Sequence, residues 1–183
     1  MGGTCRIYTG NGDKGKTTLG DGRIVSKTHP RVVATGCVDE LNAVLGVCLT
    51  VSHAEPTRDW LKQIQRDLFD LGTDLSCGGV LAFRITNEHV ARLEQWIDEV
   101  TEQLSPLTQF VLPGGTSAAA YLHWARTVCR RTELAVWQLA EQEPINDWVP
   151  TYLNRLSDLL FVLARLANNY GQSDELWIPK PDS

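Results

Sequence analysis

The chain has 183 residues, 43% hydrophobic and 21% charged, with 17 Lys and Arg against 22 Asp and Glu for a net charge of −5. A chain of this size and balance buries a sizeable core, which excludes general disorder. Its mild acidity argues against binding nucleic acid through bulk electrostatics, and no run approaches the roughly 18 apolar residues of a membrane span.

The N-terminal stretch Met1-Gly2-Gly3-Thr4-Cys5-Arg6 carries neither an apolar signal core nor a basic presequence, which reads as cytoplasmic. Beyond it, Gly10, Gly12, Gly15, Gly20 and Gly22 crowd into a segment where neither helix nor strand is expected. Ile7 and Tyr8 are the one pair there that could form a strand. Gly10 to Thr17, G-N-G-D-K-G-K-T, matches the phosphate-loop pattern G-x-x-x-x-G-K-[ST]. That pattern needs a buried strand before the loop and a helix after it, so that backbone N–H groups and the helix dipole hold the phosphates. Neither flank is present, and no strand–helix alternation follows to build a parallel sheet. The phosphate-loop fold is excluded; its chemistry is not. Backbone donors, Lys14, Lys16 and Lys27, and the hydroxyls of Thr9, Thr17 and Thr18 can wrap a polyphosphate. A solvated terminal arm is the alternative.

After Pro30 the pattern turns helical. A first helix is predicted over 31–52, with Val38, Leu41, Leu45 and Cys48 as its apolar stripe. Pro56 opens a second, with Trp60 or Leu61, Ile64, Leu68, Leu71 and Leu75 at helical steps, and Cys77-Gly78-Gly79 ends it. Thr86 caps a third, carrying Val90, Leu93, Ile97, Val100 and Leu104. A loop framed by Pro106 and Pro113-Gly114-Gly115 holds Phe110, which on position alone reads as an apolar core plug. A fourth helix follows over 117–142 and a fifth over 151–170, stopped by Gly171. The tail Leu176-Trp177-Ile178 is expected to pack back on the bundle. The fold class is therefore all-α, a five-helix bundle in one domain of residues 1–183. Its parts are a glycine-rich segment 1–30, helices over 31–171 and a tail 172–183.

The five cysteines form no C-x-x-C pair and the four histidines no H-E-x-x-H pattern, so free thiols and no protein metal site are expected. The polar residues on helices are more telling. Arg126, Arg130 and Glu133 share one face of the fourth helix, with Arg131 turned away. Thr35, Asp39 and Asn42 share a face of the first, and Asn154 and Asp158 of the fifth, beside Arg155. A solvent face laced by weak ion pairs is the bland reading. Against it, Leu153, Leu156, Leu159, Leu160, Phe161, Val162, Leu163 and Leu166 leave Asn154 little free exterior, which points to a partner helix, a subunit interface or a ligand.

These residues resemble a specific family. Thr9-Gly10-Asn11-Gly12-Asp13-Lys14-Gly15 with Thr17-Thr18 is similar to the T-G-x-G-D-x-G-x-T signature of the PduO-type cob(I)alamin adenosyltransferases. Val38-Asp39-Glu40-Leu41-Asn42, Leu112-Pro113-Gly114-Gly115, Val128-Cys129-Arg130-Arg131-Thr132-Glu133 and Leu153-Asn154-Arg155-Leu156-Ser157-Asp158 follow in the family's order. The resemblance implies a homotrimer with active sites between subunits. It implies transfer of the 5′-deoxyadenosyl group of ATP, with Mg²⁺, to the cobalt of cobalamin, releasing triphosphate. Thr9, Gly10, Asn11, Gly12, Thr17, Thr18 and Lys27 then belong to the ATP-binding segment, and Arg130, Glu133 and Asn154 are helix-borne ATP contacts. Asp39 and Arg126 match the family's intersubunit ion pair near the corrinoid. Phe110 matches the aromatic that displaces the corrinoid's lower axial ligand. Leu134 departs from relatives that carry a basic residue there. No flavin or iron–sulfur motif is present, so a separate reductase and an adenosylcobalamin-dependent recipient enzyme are the expected partners. Two other functions fit parts of the sequence: a nucleotide hydrolase built on Gly10 to Thr17, and a non-catalytic corrinoid carrier.

Overall fold

The structure, a computed structural model, describes residues 8–51, 55–78 and 84–179. Five helices and one small sheet occur among them: β1 (Lys16–Thr18), β2 (Ile24–Ser26), α1 (Pro30–Cys48), α2 (Thr57–Ser76), α3 (Asn87–Thr101), α4 (Ser117–Ala140) and α5 (Trp148–Ala167). The five-helix expectation holds. Ile7, Cys5, His53 and Gly79 lie outside the described residues.

Helices α1, α3 and α4 start where a side chain satisfies one of their first N–H groups or that of the cap. Pro30 opens α1 and the His29 Nδ1 accepts from the Arg31 N–H at 3.2 Å. At α3 the His89 ring takes the place usually held by Glu or Gln in a capping box, accepting from the Thr86 N–H at 3.3 Å. The Thr116 hydroxyl accepts from Ala119 N–H at 3.1 Å to start α4. Helix α5 begins at Trp148, ahead of the expected Thr151, because Pro150 falls in its first turn, where no intrahelical N–H is needed. It ends at Ala167, with Asn169, Tyr170 and Gly171 all at positive φ. Helix α1 stops at Cys48 and α4 at Ala140, both short of expectation, and Leu104 lies beyond the end of α3.

Helix α1 packs against α2 and α4, and α5 packs against α4 and α3. The predicted stripes point inward: Val38, Leu41, Leu45 and Cys48 of α1, and Leu61, Ile64, Leu68, Leu71 and Leu75 of α2, are all buried. Leu153, Leu156, Leu159, Leu160 and Leu163 make α5 the most enclosed helix. Each such leucine contributes about 1.5–3 kcal/mol relative to exposure. One buried carboxylate in this core is well paired, as burial demands. Asp67 accepts from the Tyr152 hydroxyl at 2.8 Å and from Arg92 at 2.6 Å, tying α2 to α5 and α3.

The glycine segment is not structureless. β1 and β2 pair antiparallel, with Lys16 opposite Ser26, Thr17 opposite Val25 and Thr18 opposite Ile24. Gly22 turns the chain between them at φ +87°, and the Leu19 N–H donates to Arg23 O at 2.8 Å. Glycine here serves the turn of a hairpin, and the threonine and β-branched residues on either side supply the strands. The hairpin is fastened to the helices through Glu143, on the connection from α4 to α5. Glu143 receives Arg23 at 3.2 Å, Arg31 at 2.6 Å and the His29 Nε2 at 3.2 Å. Hydrogen bonds from Arg23 and then Arg31, partly offset by burial, hold the Glu143 carboxyl below its ordinary range.

The tail packs back, but not where expected. Val111 bridges Leu176, Leu112 N–H donates to Glu175 O, and Trp177 N–H donates to Phe110 O, each at 2.8 Å for the two hydrogen bonds. The tail thus braces the loop before α4, and Trp177 and Ile178 remain exposed. No helix among the described residues is long and apolar enough to cross a membrane.

Candidate functional site

The hairpin roofs the junction of α1 and α2 and encloses a cleft of about 500 Å³. Thr17 and Thr18 line it from the hairpin, and Thr35, Asp39 and Asn42 line it from α1, so the face predicted from helical spacing is a cleft wall. Asn42 exchanges amide bonds with Gln65, donating to Gln65 O at 3.2 Å, while its own Oδ1 is buried without a partner. Asp39 is exposed and makes no ion pair among the described residues.

Thr9, Gly10, Asn11 and Gly12 form the turn ahead of β1, where the Thr9 hydroxyl accepts from the Asn11 N–H at 3.4 Å. Lys27 reaches back over it, with its Nζ 2.9 Å from where a Cβ on Gly12 would sit. Lys27 is anchored by its own N–H to Gly15 O at 2.9 Å. Among the described residues, no carboxylate pairs with Lys14, Lys16 or Lys27. Three uncompensated ammonium groups beside backbone donors suit a polyanion.

A second patch lies on α4 and α5. Glu133 accepts from the Asn154 Nδ2 at 3.3 Å, joining two predicted contacts. Arg130 is exposed with no partner among the described residues, whereas Arg131 turns to Glu40 of α1 at 2.6 Å, as its quarter-turn offset requires. Arg126 is half-buried with an unpartnered Nε, and burial followed by the neighbouring Arg130 charge lowers its pKa. Asn154 and Asp158 are exposed, so the polar strip of α5 faces outward from its own chain. None of Arg126, Arg130, Glu133 or Asn154 lines the cleft under the hairpin, and no ion pair joins Asp39 to Arg126.

Phe110 occupies a third place. It is 78% exposed, its ring set edge-to-face with Trp177 at 6.2 Å between centroids. The core-plug expectation is overturned: the loop pairs with the tail rather than burying its ring in the bundle, so its aromatic tip meets solvent. Phe69 of α2 was missed in the sequence. It lines the cleft at 72% exposure, and its signal was an aromatic beside, rather than within, the Leu68 and Leu71 stripe.

A family profile described as cobalamin adenosyltransferase matches residues 7–167. The chain belongs to the cobalamin adenosyltransferase family. A cobalamin adenosyltransferase of Cupriavidus metallidurans is 48% identical over 94% of both chains. A corrinoid adenosyltransferase of Mycobacterium leprae is 45% identical over 95% of this chain and 96% of that one. Among solved structures, a phenylalanine-to-alanine variant of a PduO-type ATP:corrinoid adenosyltransferase from Lactobacillus reuteri, complexed with cobalamin and ATP, has a TM-score of 0.90. Its identity is 39%, covering 94% of this chain and 99% of that one. An adenosyltransferase fold therefore carries the three patches. The resemblance to a phosphate loop is only in letters: in this adenosyltransferase Thr17 lies in a strand and is followed by a hairpin turn rather than a helix.

Proposed function

We propose that this corrinoid adenosyltransferase moves the 5′-deoxyadenosyl group of ATP to the cobalt of cob(I)alamin, in sites completed by a neighbouring copy of the chain. The observation that carries the reading is the separation of the patches. Thr17 and Thr18 line one cleft with Asp39, and the turn ahead of β1 with Lys27 over it leads into that strand, while Arg126, Arg130, Glu133 and Asn154 lie outside the cleft. Each patch holds charges left uncompensated among the described residues, and a homotrimer would bring one chain's strip to the next chain's cleft. Asp39 and Arg126 would then pair across the interface.

In the reaction the cobalt electron pair attacks C5′ of ATP, the C5′–O bond breaks, and its electrons leave on triphosphate. No proton needs to be removed, so the protein's task is alignment and stabilisation of the departing polyanion. Lys27, the backbone donors of Gly10 to Gly12, the Thr17 and Thr18 hydroxyls and Arg130 supply that stabilisation, and Glu133 orients Asn154 toward the nucleotide. No group of three His, Cys, Asp or Glu side chains converges among the described residues. Mg²⁺ bound with ATP would add positive charge against the departing triphosphate.

Before transfer, cob(II)alamin must be reduced. An axial ligand raises the cobalt orbital that accepts the electron, so an apolar ring held against the lower face eases reduction by excluding both ligand and water. Phe110 is exposed and braced for that role, leaving cob(II)alamin four-coordinate. A separate cytoplasmic reductase supplies the electron, and an adenosylcobalamin-dependent enzyme receives the product. Anaerobic incubation with ATP and chemically reduced cobalamin tests the reading. Loss of the cob(I)alamin spectrum with stoichiometric triphosphate is expected; ADP formed without corrinoid would instead establish a hydrolase, and binding without turnover a carrier.

A further inference from the structure

Both ends of the Phe110 loop are tied to one helix end by buried polar groups. At the near end the Arg165 Nη2 donates to Ser105 O at 2.8 Å. At the far end Asn168 Oδ1 accepts from the Thr116 N–H at 3.0 Å, and its Nδ2 donates to Gly114 O at 3.1 Å. Asp174 joins the two, accepting from Arg165 Nε at 2.7 Å and from Asn168 Nδ2 at 3.1 Å. The Arg165 and Asp174 side chains are 7% and 2% exposed, and Asn168 is 1% exposed. Immediately after Asp174, Glu175 O and the Trp177 N–H pair with Leu112 and Phe110.

Gly115 shows how tightly the far end is held. Its φ is +96°, and a Cβ there would overlap the Asn168 amide, so no other residue fits without moving the anchor. Nor are these side chains needed to end α5. The backbone already closes it, with Tyr170 N–H donating to Leu166 O at 3.1 Å and Gly171 N–H to Arg165 O at 2.7 Å. The side-chain bonds instead run to Ser105, Gly114 and Thr116 at the two ends of the loop and to Asp174.

We propose that Asp174, acting through Arg165 and Asn168, is a positioning residue that sets where the loop holds Phe110 against the corrinoid. The inference rests on the role given above to Phe110. A ring that shields one face of cobalt must be placed closely, since a misplacement of about 1 Å can cost on the order of a hundredfold in rate.

Asp174→Asn preserves shape but offers an N–H₂ to one of two donors, so one arm is lost. In the free enzyme, hydrogen exchange at the Leu112 and Trp177 amides is expected to rise about tenfold or more. With ATP and cob(II)alamin, the four-coordinate electron paramagnetic resonance signal should weaken. Turnover from cob(II)alamin with a weak reductant should fall about tenfold, while turnover from pre-reduced cob(I)alamin and KM for ATP stay within about twofold. Added to Phe110→Ala, Asp174→Asn should cost nothing further, because it acts through that ring. Unchanged exchange, or a full additional loss in the double variant, overturns the proposal. Persistence of the four-coordinate signal in Phe110→Ala alone would instead remove the role of Phe110, and the exchange measurement would still decide whether Asp174 sets the loop. Should Asp174→Asn fail to fold, Trp177→Pro deletes the N–H that holds Phe110 O, and Trp177→Ala controls for its ring. The proline variant should lose more of the signal than the alanine variant; equal losses count against the proposal.

Discussion

Arg130 and Lys16 behave oppositely under the two chemical readings of the glycine segment. In a phosphate loop the lysine before Thr17 touches the phosphates directly, and its loss is severe. Here Lys16 stands on a strand, opposite Ser26, while Arg130 is an exposed guanidinium without a partner among the described residues. Arg130→Ala should therefore raise KM for ATP about tenfold or more and slow transfer, with Lys16→Ala within about threefold of wild type, as initial rates against ATP would show. Reversal of that order would reinstate the lysine as the main phosphate contact. Phe110 is the other residue whose surroundings decide its fate. At 78% exposure its removal should change stability by less than about 0.5 kcal/mol, rather than by the several of a core deletion. Thermal melts of Phe110→Ala should thus overlay wild type, while its activity from cob(II)alamin falls more than that from cob(I)alamin.

At the scale of elements, the hairpin depends on Glu143, which draws Arg23, His29 and Arg31 to one carboxylate. Arg31 is 1% exposed, so taking the negative charge away leaves a buried guanidinium undercompensated. Glu143→Gln should cost about 1–3 kcal/mol at neutral pH and loosen the roof of the cleft. The sign of its pH dependence follows from the lowered pKa. As acid is added, the unfolded chain takes up the Glu143 proton near the ordinary value of 4.5, before the folded chain does. This stabilisation is thus complete above that pH and fades as the pH falls through the lowered folded value. Melting midpoints of wild type and Glu143→Gln should converge toward pH 3 and separate toward pH 7; a constant gap would place the carboxylate outside the network.

For the whole molecule, the prediction concerns assembly. Asp39 and Arg126 have no partner among the described residues, and Arg126 is already half-buried with an orphaned Nε. If a neighbouring copy supplies each with the other, light scattering should give a trimer at assay concentrations. Asp39→Asn and Arg126→Ala should also lose activity non-additively, with a coupling of about 0.5–3 kcal/mol. A stable, active monomer, or strictly additive losses, would sink the shared site.

The helices and most of the candidate site were legible before any coordinates, because helical spacing is a local property. Val38, Leu41 and Leu45 recur at steps that must share a face, and the same arithmetic put Thr35, Asp39 and Asn42 along one wall and turned Arg131 from Arg130. Chain-local signals also carried the cap at Thr86 and the failure of Gly10 to Thr17 as a phosphate loop. What the tertiary structure alone decided depends on contacts between distant positions. Strands of three residues carry too little pattern to announce themselves, and the β1–β2 hairpin exists because Gly22 closes a turn and Glu143, far along the chain, holds it down. Phe110 reads as a plug in sequence and as an exposed tip in space, since its fate is set by pairing with residues 175–177. Residue identity and spacing determine which side chains share a face; only the packed chain determines what that face meets, because exposure and charge compensation belong to neighbours that sequence order does not reveal.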